Sequence, residues 1–300
     1  MPNTVPQQLL TIRDYIRWAA SRFEQAQLFY GHGTDNAWDD ASALVLQSLY
    51  LPWDVNPDTL SARLTLAEKE LLIERIELRL NKRTPVPYLT GQAWFCGLKF
   101  VVNDKVLIPR SPIAELIENG FEPWLAGSPR RILDMCTGSG CIGIACAYAF
   151  EWAEVDLSDI CAEAITVAEQ NILSHQLGDR VKAIQSDCFD GIEGGVYDLI
   201  VSNPPYVNTE DLAAMPAEFH NEPSLALGSG DDGLDFSRRF LQQAADFLSD
   251  EGILVLEVGN SWPSLEAAFP NMPFTWVEFE RGGHGVLVLS KQDLINNICN

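Results

Sequence analysis

Arg131-Ile-Leu-Asp134-Met-Cys136-Thr137-Gly138-Ser139-Gly140-Cys-Ile-Gly143 is the stretch on which the reading of the chain turns. Its first half is a short apolar run that carries one acid. Its second half is a glycine-rich turn, and residues 140–150 that follow suit a helix. Strand, tight turn and helix N-terminus in that order form the ligand-binding corner of doubly wound α/β folds. Gly138 and Gly140 permit positive φ and let a ligand approach the backbone closely. The helix start presents unpaired N–H groups. Taken literally, Gly138-x-Gly140-x-x-Gly143 also matches the dinucleotide fingerprint, so a nicotinamide oxidoreductase competes here. Asp134 argues against it, because a pyrophosphate needs neutral or positive surroundings. An acid suits a cationic ligand end, such as the amino group of an amino-acid moiety.

Outward from this corner the elements alternate. Strand 130–136 and helix 140–150 lead to strand 153–159 and helix 161–175, then to strands 181–186 and 197–202. A loop through 203–233, a helix ending at Ser249, strand 252–258 and helix 261–268 come next, and strands 274–281 and 285–290 close the chain. Such alternation predicts a parallel sheet with right-handed crossovers. The last two strands are joined only by Gly282-Gly-His-Gly285, too tight for a parallel pair, so the final strand runs antiparallel. Upstream, residues 1–84 read as helical, over Gln7–Tyr30, Asp39–Tyr50 and Thr65–Lys82, the last opened by a Thr65-x-x-Glu68 capping box. Pro85-Val-Pro87 ends that pattern, and residues 85–112 read as a β-hairpin connector. Helix Ile113–Trp124 opens the third region, 113–300. The expected fold is α/β: a doubly wound, seven-stranded, mostly parallel sheet with a small N-terminal helical domain for partner recognition.

A second stretch carries the chemistry: Tyr197-Asp-Leu-Ile-Val-Ser-Asn203-Pro204-Pro205-Tyr206. An apolar strand runs into a loop whose two prolines fix φ and remove two donors, while Asn203 is pushed away from helical geometry. One amide, free carbonyls and one aromatic face at a strand end make a receptor for a planar group bearing NH2. Asn-Pro-Pro alone is equally a plain turn out of a strand. Other strand ends add acids. Asp159 is placed to accept from ribose hydroxyls, with Asp156 a competing register. Ser186-Asp187-Cys188-Phe189 offers a carboxylate to an adenine amino group and apolar surface for its ring. Each acid alone reads as a helix cap or solvated loop residue; three at successive strand ends read as a site.

Composition bounds the partners. There are 42 acidic and 20 basic residues, a formal net charge of −22, which opposes a nucleic-acid footprint and favours a basic protein partner. No apolar run reaches the roughly eighteen residues of a membrane span, and the N-terminus lacks a signal peptide's basic region. Seven cysteines include no Cys-x-x-Cys pair, which fits a reducing cytoplasm and no metal site. The four histidines show no ligand spacing and receive no catalytic role.

Together the acid–glycine turn, the ribose acid, the Ser-Asp-x-Phe segment and Asn203-Pro-Pro-Tyr206 resemble a class I S-adenosylmethionine-dependent methyltransferase acting on an amino group. Asn-Pro-Pro-Tyr is shared by DNA adenine methyltransferases and protein glutamine methyltransferases. Arg83-Thr-Pro-Val-Pro-Tyr-Leu-Thr-Gly91, Leu107-Ile-Pro-Arg110-Ser-Pro and Glu222-Pro-x-x-Ala-Leu followed by Asp232-Gly-Leu are similar to the glutamine enzymes. Ile108-Pro-Arg-Ser-Pro-Ile and Asp134-Met-Cys-Thr-Gly-Ser-Gly-Cys resemble the branch acting on ribosomal protein uL3. The release-factor branch usually has Pro-Arg-Pro and Leu-Gly-Thr-Gly-Thr-Gly there, and tends to carry Trp where Cys188 stands. The resemblance implies S-adenosylmethionine bound by Asp134, Cys136, Thr137, Gly138, Ser139, Gly140, Asp159, Asp187, Cys188 and Asn203. It implies a substrate amide held by Asn203, Pro204, Pro205 and Tyr206, with Asn203, Pro204 and Tyr206 catalytic. A non-catalytic ribosome-assembly factor is the alternative outside enzymes.

Overall fold

The computed structural model describes residues 8–193 and 195–298. By internal contacts the chain divides into one unit of residues 1–93 with 216–221, and another of 94–215 with 222–300. The sequence reading placed its boundaries at 84 and 112 instead; the observed division falls inside the hairpin's first strand.

The first unit is helical: α1 (Ile12–Gln25), α2 (Ala37–Ser48), α3 (Leu66–Lys82) and the short α4 (Val86–Thr90). Each of the first three starts on a side-chain cap. Thr11 and Asp14 satisfy each other's backbone N–H groups, as do Thr65 and Glu68, and Asn36 accepts from Asp39 N. Such caps occupy donors that a helix start leaves unpaired. Tyr15, Ile16 and Phe23 of α1, Leu44 of α2, and Leu72 and Ile76 of α3 form the centre of its core. Of the expected Gln7–Tyr30, whose first residue lies outside the described residues, helix α1 takes Ile12–Gln25; it ends there, and Gln27 takes a positive φ of 49°.

The second unit opens with the hairpin of β1 (Gln92–Phe95) and β2 (Leu98–Val101), followed by α5 (Ile113–Glu118). That helix stops six residues short of Trp124, where Gly120 and Phe121 both adopt positive φ. Then come β3 (Arg131–Met135), α6 (Cys141–Ala149), β4 (Glu154–Asp159), α7 (Ala162–Ser174), β5 (Val181–Gln185) and β6 (Tyr197–Ser202). The short α8 (Thr209–Ala214), α9 (Asp235–Phe247), β7 (Leu248–Glu257), α10 (Trp262–Ala268), β8 (Thr275–Trp276), β9 (Val286–Ser290) and α11 (Lys291–Ile298) complete it.

Seven strands form one sheet in the order β5-β4-β3-β6-β7-β9-β8. The five from β5 to β7 are parallel, and β9 runs antiparallel to both neighbours. The expected α/β class, parallel centre and reversed last strand are all present. Strand β8 retains only Thr275–Trp276 of the expected 274–281. The terminal helix α11 was not anticipated, although Ser290-x-x-Asp293 announces it: the two side chains accept from each other's backbone N–H. Apolar clusters cover both faces, one around Ile132, Val155 and Leu199, the other around Leu133, Ile200 and Leu254. Burial on both sides explains why these strands read as unbroken apolar runs.

One charged cluster lies deep in the helical unit. Arg79 is 1% exposed; its Nε stands 2.8 Å from Asp40 Oδ2 and its Nη2 donates to the Phe29 carbonyl at 2.9 Å. Glu218, from the 216–221 stretch, lies 3.7 Å from Arg79 Nη1 and accepts from Phe29 N at 3.0 Å. Removing one member of such a pair strands the other's charge, at about 3–5 kcal/mol. Asp40→Ala is therefore expected to lower stability by roughly that amount, read as a reduced urea midpoint.

Candidate active site

Strand register brings three loops to one edge of the sheet. Met135 pairs with Ser158 on one side and with Ser202 on the other. The segments beginning at Cys136, Asp159 and Asn203 therefore leave the sheet at the same level. The Gly138 N–H donates to Asp159 Oδ2 at 2.9 Å, and Thr137 N donates to the Ser158 carbonyl. Gly138 has a φ of +55° and nothing within 4 Å of where a Cβ would stand, so its turn opens toward the cavity. Gly143 works differently. A Cβ there would lie 2.1 Å from Leu157 Cδ2 and 2.9 Å from Asp134 Cβ. Its absence lets α6 settle onto β3, so that Gly143 N donates to Asp134 Oδ2 at 2.8 Å.

Asp134 is fully buried. Thr137 Oγ1 also donates to its Oδ2, at 2.6 Å, while Oδ1 has no hydrogen-bond partner among the described residues. Burial pushes this carboxyl up to about 7, against the two donors that favour its charge. Asp159 is raised too, again by burial, despite accepting from Cys161 N and Gly138 N. Of the two acids near the end of β4, Asp159 faces the cavity. Asp156 instead pairs with Arg131 at 2.9 Å and accepts from the Tyr197 hydroxyl at 2.7 Å.

The cavity encloses about 320 Å³, and Cys136, Thr137, Gly138, Ser139, Asp159, Asp187, Cys188, Asn203 and Pro205 of the expected residues line it. Asp134, Gly140, Pro204 and Tyr206 stand behind that surface. Asp187 is held by Arg239, whose Nη1 lies 2.6 Å from its Oδ1. Cys188 is buried and its thiol pushed up to about 11 by that burial. Phe189 turns away into the core, stacked on Phe247 at 4.3 Å, and Phe236 provides aromatic lining instead. Sequence reasoning did not single out Phe236, because one aromatic in the amphipathic helix α9 carries no distinguishing spacing. Asn171 was also missed. Fully buried, it donates to the Ser139 and Val101 carbonyls and accepts from Val101 N, tying the glycine turn to β2.

On the other wall Asn203 Oδ1 is buried without a partner among the described residues. Tyr206 is anchored at every polar atom: N to the Leu227 carbonyl, O to Ser261 Oγ at 2.6 Å, and its hydroxyl donated to Glu257 at 3.0 Å. Arg110 lines the cavity and forms a two-point pair with Glu222, at 2.6 and 2.7 Å. None of the four histidines lines the cavity. Among the described residues no group of His, Cys, Asp and Glu could hold a metal ion.

A mostly parallel sheet with this strand order and an acid–glycine turn after its central strand is the fold of the class I methyltransferases. The methyltransferase small domain model matches residues 121–230. The chain is 47% identical over 289 residues to the ribosomal protein uL3 glutamine methyltransferase of Francisella tularensis subsp. tularensis, covering 96% of this chain and 92% of that one. It is 46% identical to the protein of the same name from Neisseria gonorrhoeae, over 98% of this chain and 99% of that one. It belongs to that family of glutamine methyltransferases. The hMettl16 catalytic domain, solved with a MAT2A 3'UTR hairpin, shares the fold with a TM-score of 0.53 at 17% identity, covering 79% of this chain and 85% of that one. This membership sets aside the nicotinamide reading of the glycine turn.

The raised Asp134 carboxyl has a consequence for the ligand-free protein. Between its ordinary value near 3.8 and about 7, the folded state holds a proton that the unfolded chain has lost. Folding through this group therefore weakens as pH rises across that window. Asp134→Asn, which cannot titrate, is expected to gain stability relative to the parent protein from about pH 4 to 7 and to level off above, checked by thermal melts across pH.

Proposed function

We infer that this chain transfers a methyl group to the side-chain amide nitrogen of a glutamine in ribosomal protein uL3. The observation that carries the chemistry is Asn203 Oδ1, a buried acceptor without an internal partner, on a loop stiffened by two prolines beside the cavity. The choice of uL3 rests on the relatives, whose names state that substrate over nearly the whole chain length.

S-adenosylmethionine is the methyl donor: it supplies an electrophilic sulfonium methyl, whose S–C bond breaks as the new N–C bond forms. The polar atoms in and just behind the cavity fit it. Asp134, behind the glycine turn with one buried oxygen that has no hydrogen-bond partner among the described residues, suits the amino-acid ammonium. Asp159 suits the ribose hydroxyls, and Asp187, oriented by Arg239, suits the adenine amino group beside Cys188. Cys136, Thr137, Gly138, Ser139 and Gly140 form the turn around the amino-acid portion. On the acceptor side, Asn203 Oδ1 and the Pro204 carbonyl take the two amide hydrogens, with Pro205 and Tyr206 bounding the amide plane. An amide nitrogen is a weak nucleophile because its lone pair is shared with the carbonyl. Fixing both hydrogens orients that lone pair, and positioning of this kind contributes roughly 7–11 kcal/mol in favourable cases. The proton leaves the nitrogen after methyl transfer, when it is strongly acidic, and passes to solvent.

The remaining properties agree. A net charge of −22 suits a basic ribosomal protein and opposes a phosphate backbone. No described helix is long and apolar enough to cross a membrane. Cys96, Cys136, Cys141, Cys146, Cys161 and Cys188 are all free thiols, in keeping with a cytoplasmic enzyme.

Labelled methyl from S-adenosylmethionine, offered in parallel to purified uL3, a release factor and DNA, is expected on a single uL3 glutamine. Label on the release factor alone would overturn the substrate, and no label on any acceptor would favour an assembly factor. Asn203→Ala is expected to lower kcat by about 100-fold or more while cofactor Kd, measured by calorimetry, stays within about threefold.

A further inference from the structure

Glu257 ends β7 next to the strand that delivers Asn203, since Leu256 pairs with Ser202. It is 5% exposed and stands behind the cavity surface, as Tyr206 does. Both of its oxygens are nonetheless occupied, by hydroxyls from two segments distant in sequence. Oε1 accepts from Tyr206 at 3.0 Å and Oε2 from Ser111 Oγ at 2.5 Å. Ser111 Oγ in turn accepts from Ile113 N at the start of α5. The Tyr206 ring is wedged from behind: a Cβ on Gly259 would lie 2.6 Å from it. Arg110, the neighbour of Ser111, forms its own two-point pair with Glu222.

We propose that Glu257 is a positioning residue for methyl transfer, whose two oxygens lock Tyr206 to Ser111 and hold the Asn203–Tyr206 loop in the one geometry that accepts an amide. This rests on the glutamine-methyltransferase reading. The arrangement needs a carboxylate in particular. As a carboxylate Glu257 accepts one hydroxyl on each oxygen; protonation turns one of those oxygens into a donor and a poorer acceptor, and an amide puts an NH2 there, so one of the two bonds is weakened or lost. Burial already raises Glu257 to about 6, with the Ser111 and Tyr206 hydroxyls and the Arg110 charge opposing. The charged and titratable groups around it are Arg110, Tyr206 and, across Tyr206, Glu222. As pH falls through that value, one hydroxyl loses its acceptor and the loop loosens.

The test is kcat at saturating substrates from pH 5 to 8.5 for the parent protein, Glu257→Gln, Tyr206→Phe and the double variant, with melting temperatures measured alongside. The parent rate is expected to fall below about pH 6. Glu257→Gln, a permanent mimic of the protonated acid, is expected to lose roughly 10- to 100-fold in kcat at pH 8. It should also lack that acid limb, with KM for S-adenosylmethionine within about threefold. Tyr206→Phe is expected to lose a similar factor, and the double variant no more than the worse single one, because both cut the same link. A Glu257→Gln enzyme at parent rate with the acid limb intact would overturn the proposal, as would additive losses in the double variant. If Glu257→Gln fails to fold, additivity of Tyr206→Phe with Ser111→Ala decides in its place, additive losses again overturning the link. A parent protein that labels no glutamine would instead refute the functional reading, which keeps the two failures apart.

Discussion

The parallel pairing of β3 between β4 and β6 is the constraint on which the site depends. From β3 the chain steps outward to β4 and β5, then returns to lay β6 against β3's other edge. This reversal is the topological switch at which open α/β sheets bind ligands. It sets the acid–glycine turn beside the Asn-Pro-Pro-Tyr loop although more than sixty residues separate them in sequence. Register then does the rest, since Met135 faces both Ser158 and Ser202 across the ladder. Shifting either pairing by one residue would turn every side chain of that strand to the other face. The apolar clusters on both faces hold the register, and so hold the site.

What could be read in advance follows from this. Strands β3 to β7, the reversed β9 and the glycine turn were legible because buried parallel strands are continuous apolar runs punctuated by glycines and acids. The Thr65–Glu68 cap was legible because it is local. The ends of elements were less so: α5 stops at Glu118 because Gly120 and Phe121 take positive φ, and nothing in the pattern marks Phe121 for that. Asn171, Glu257 and Phe236 were not legible. Asn171 acts on Ser139 and Glu257 on Ser111 and Tyr206, partners distant in sequence that leave no local signal, and Phe236 is one aromatic among several in its helix. The direction of Phe189, into the core rather than toward the cavity, likewise depends on where Phe247 lies.

The same residues that make the site violate local preferences. Cys136 and Cys188 adopt positive φ, a conformation that residues with a Cβ rarely take. Asp134 and Asn203 each keep a buried oxygen without a partner among the described residues, and a buried polar atom left unpaired costs stability. Conflicts of this kind cluster where a ligand completes the hydrogen bonding.

The acids of the acceptor wall are committed rather than available. Glu222 gives both oxygens to Arg110 and Glu257 gives both to hydroxyls. A general base would need a carboxylate facing the cavity, and neither Glu222 nor Glu257 lines it. That commitment agrees with the chemistry, because a neutral amide is far too weak an acid to be deprotonated first, whereas the methylated nitrogen sheds its proton unaided. What an amide needs is restraint of its two hydrogens and of the angle of its lone pair. A wall of carboxylates spent on fixing arginine, serine and tyrosine provides restraint, and Asn203 then presents its acceptor from a loop with little freedom to move.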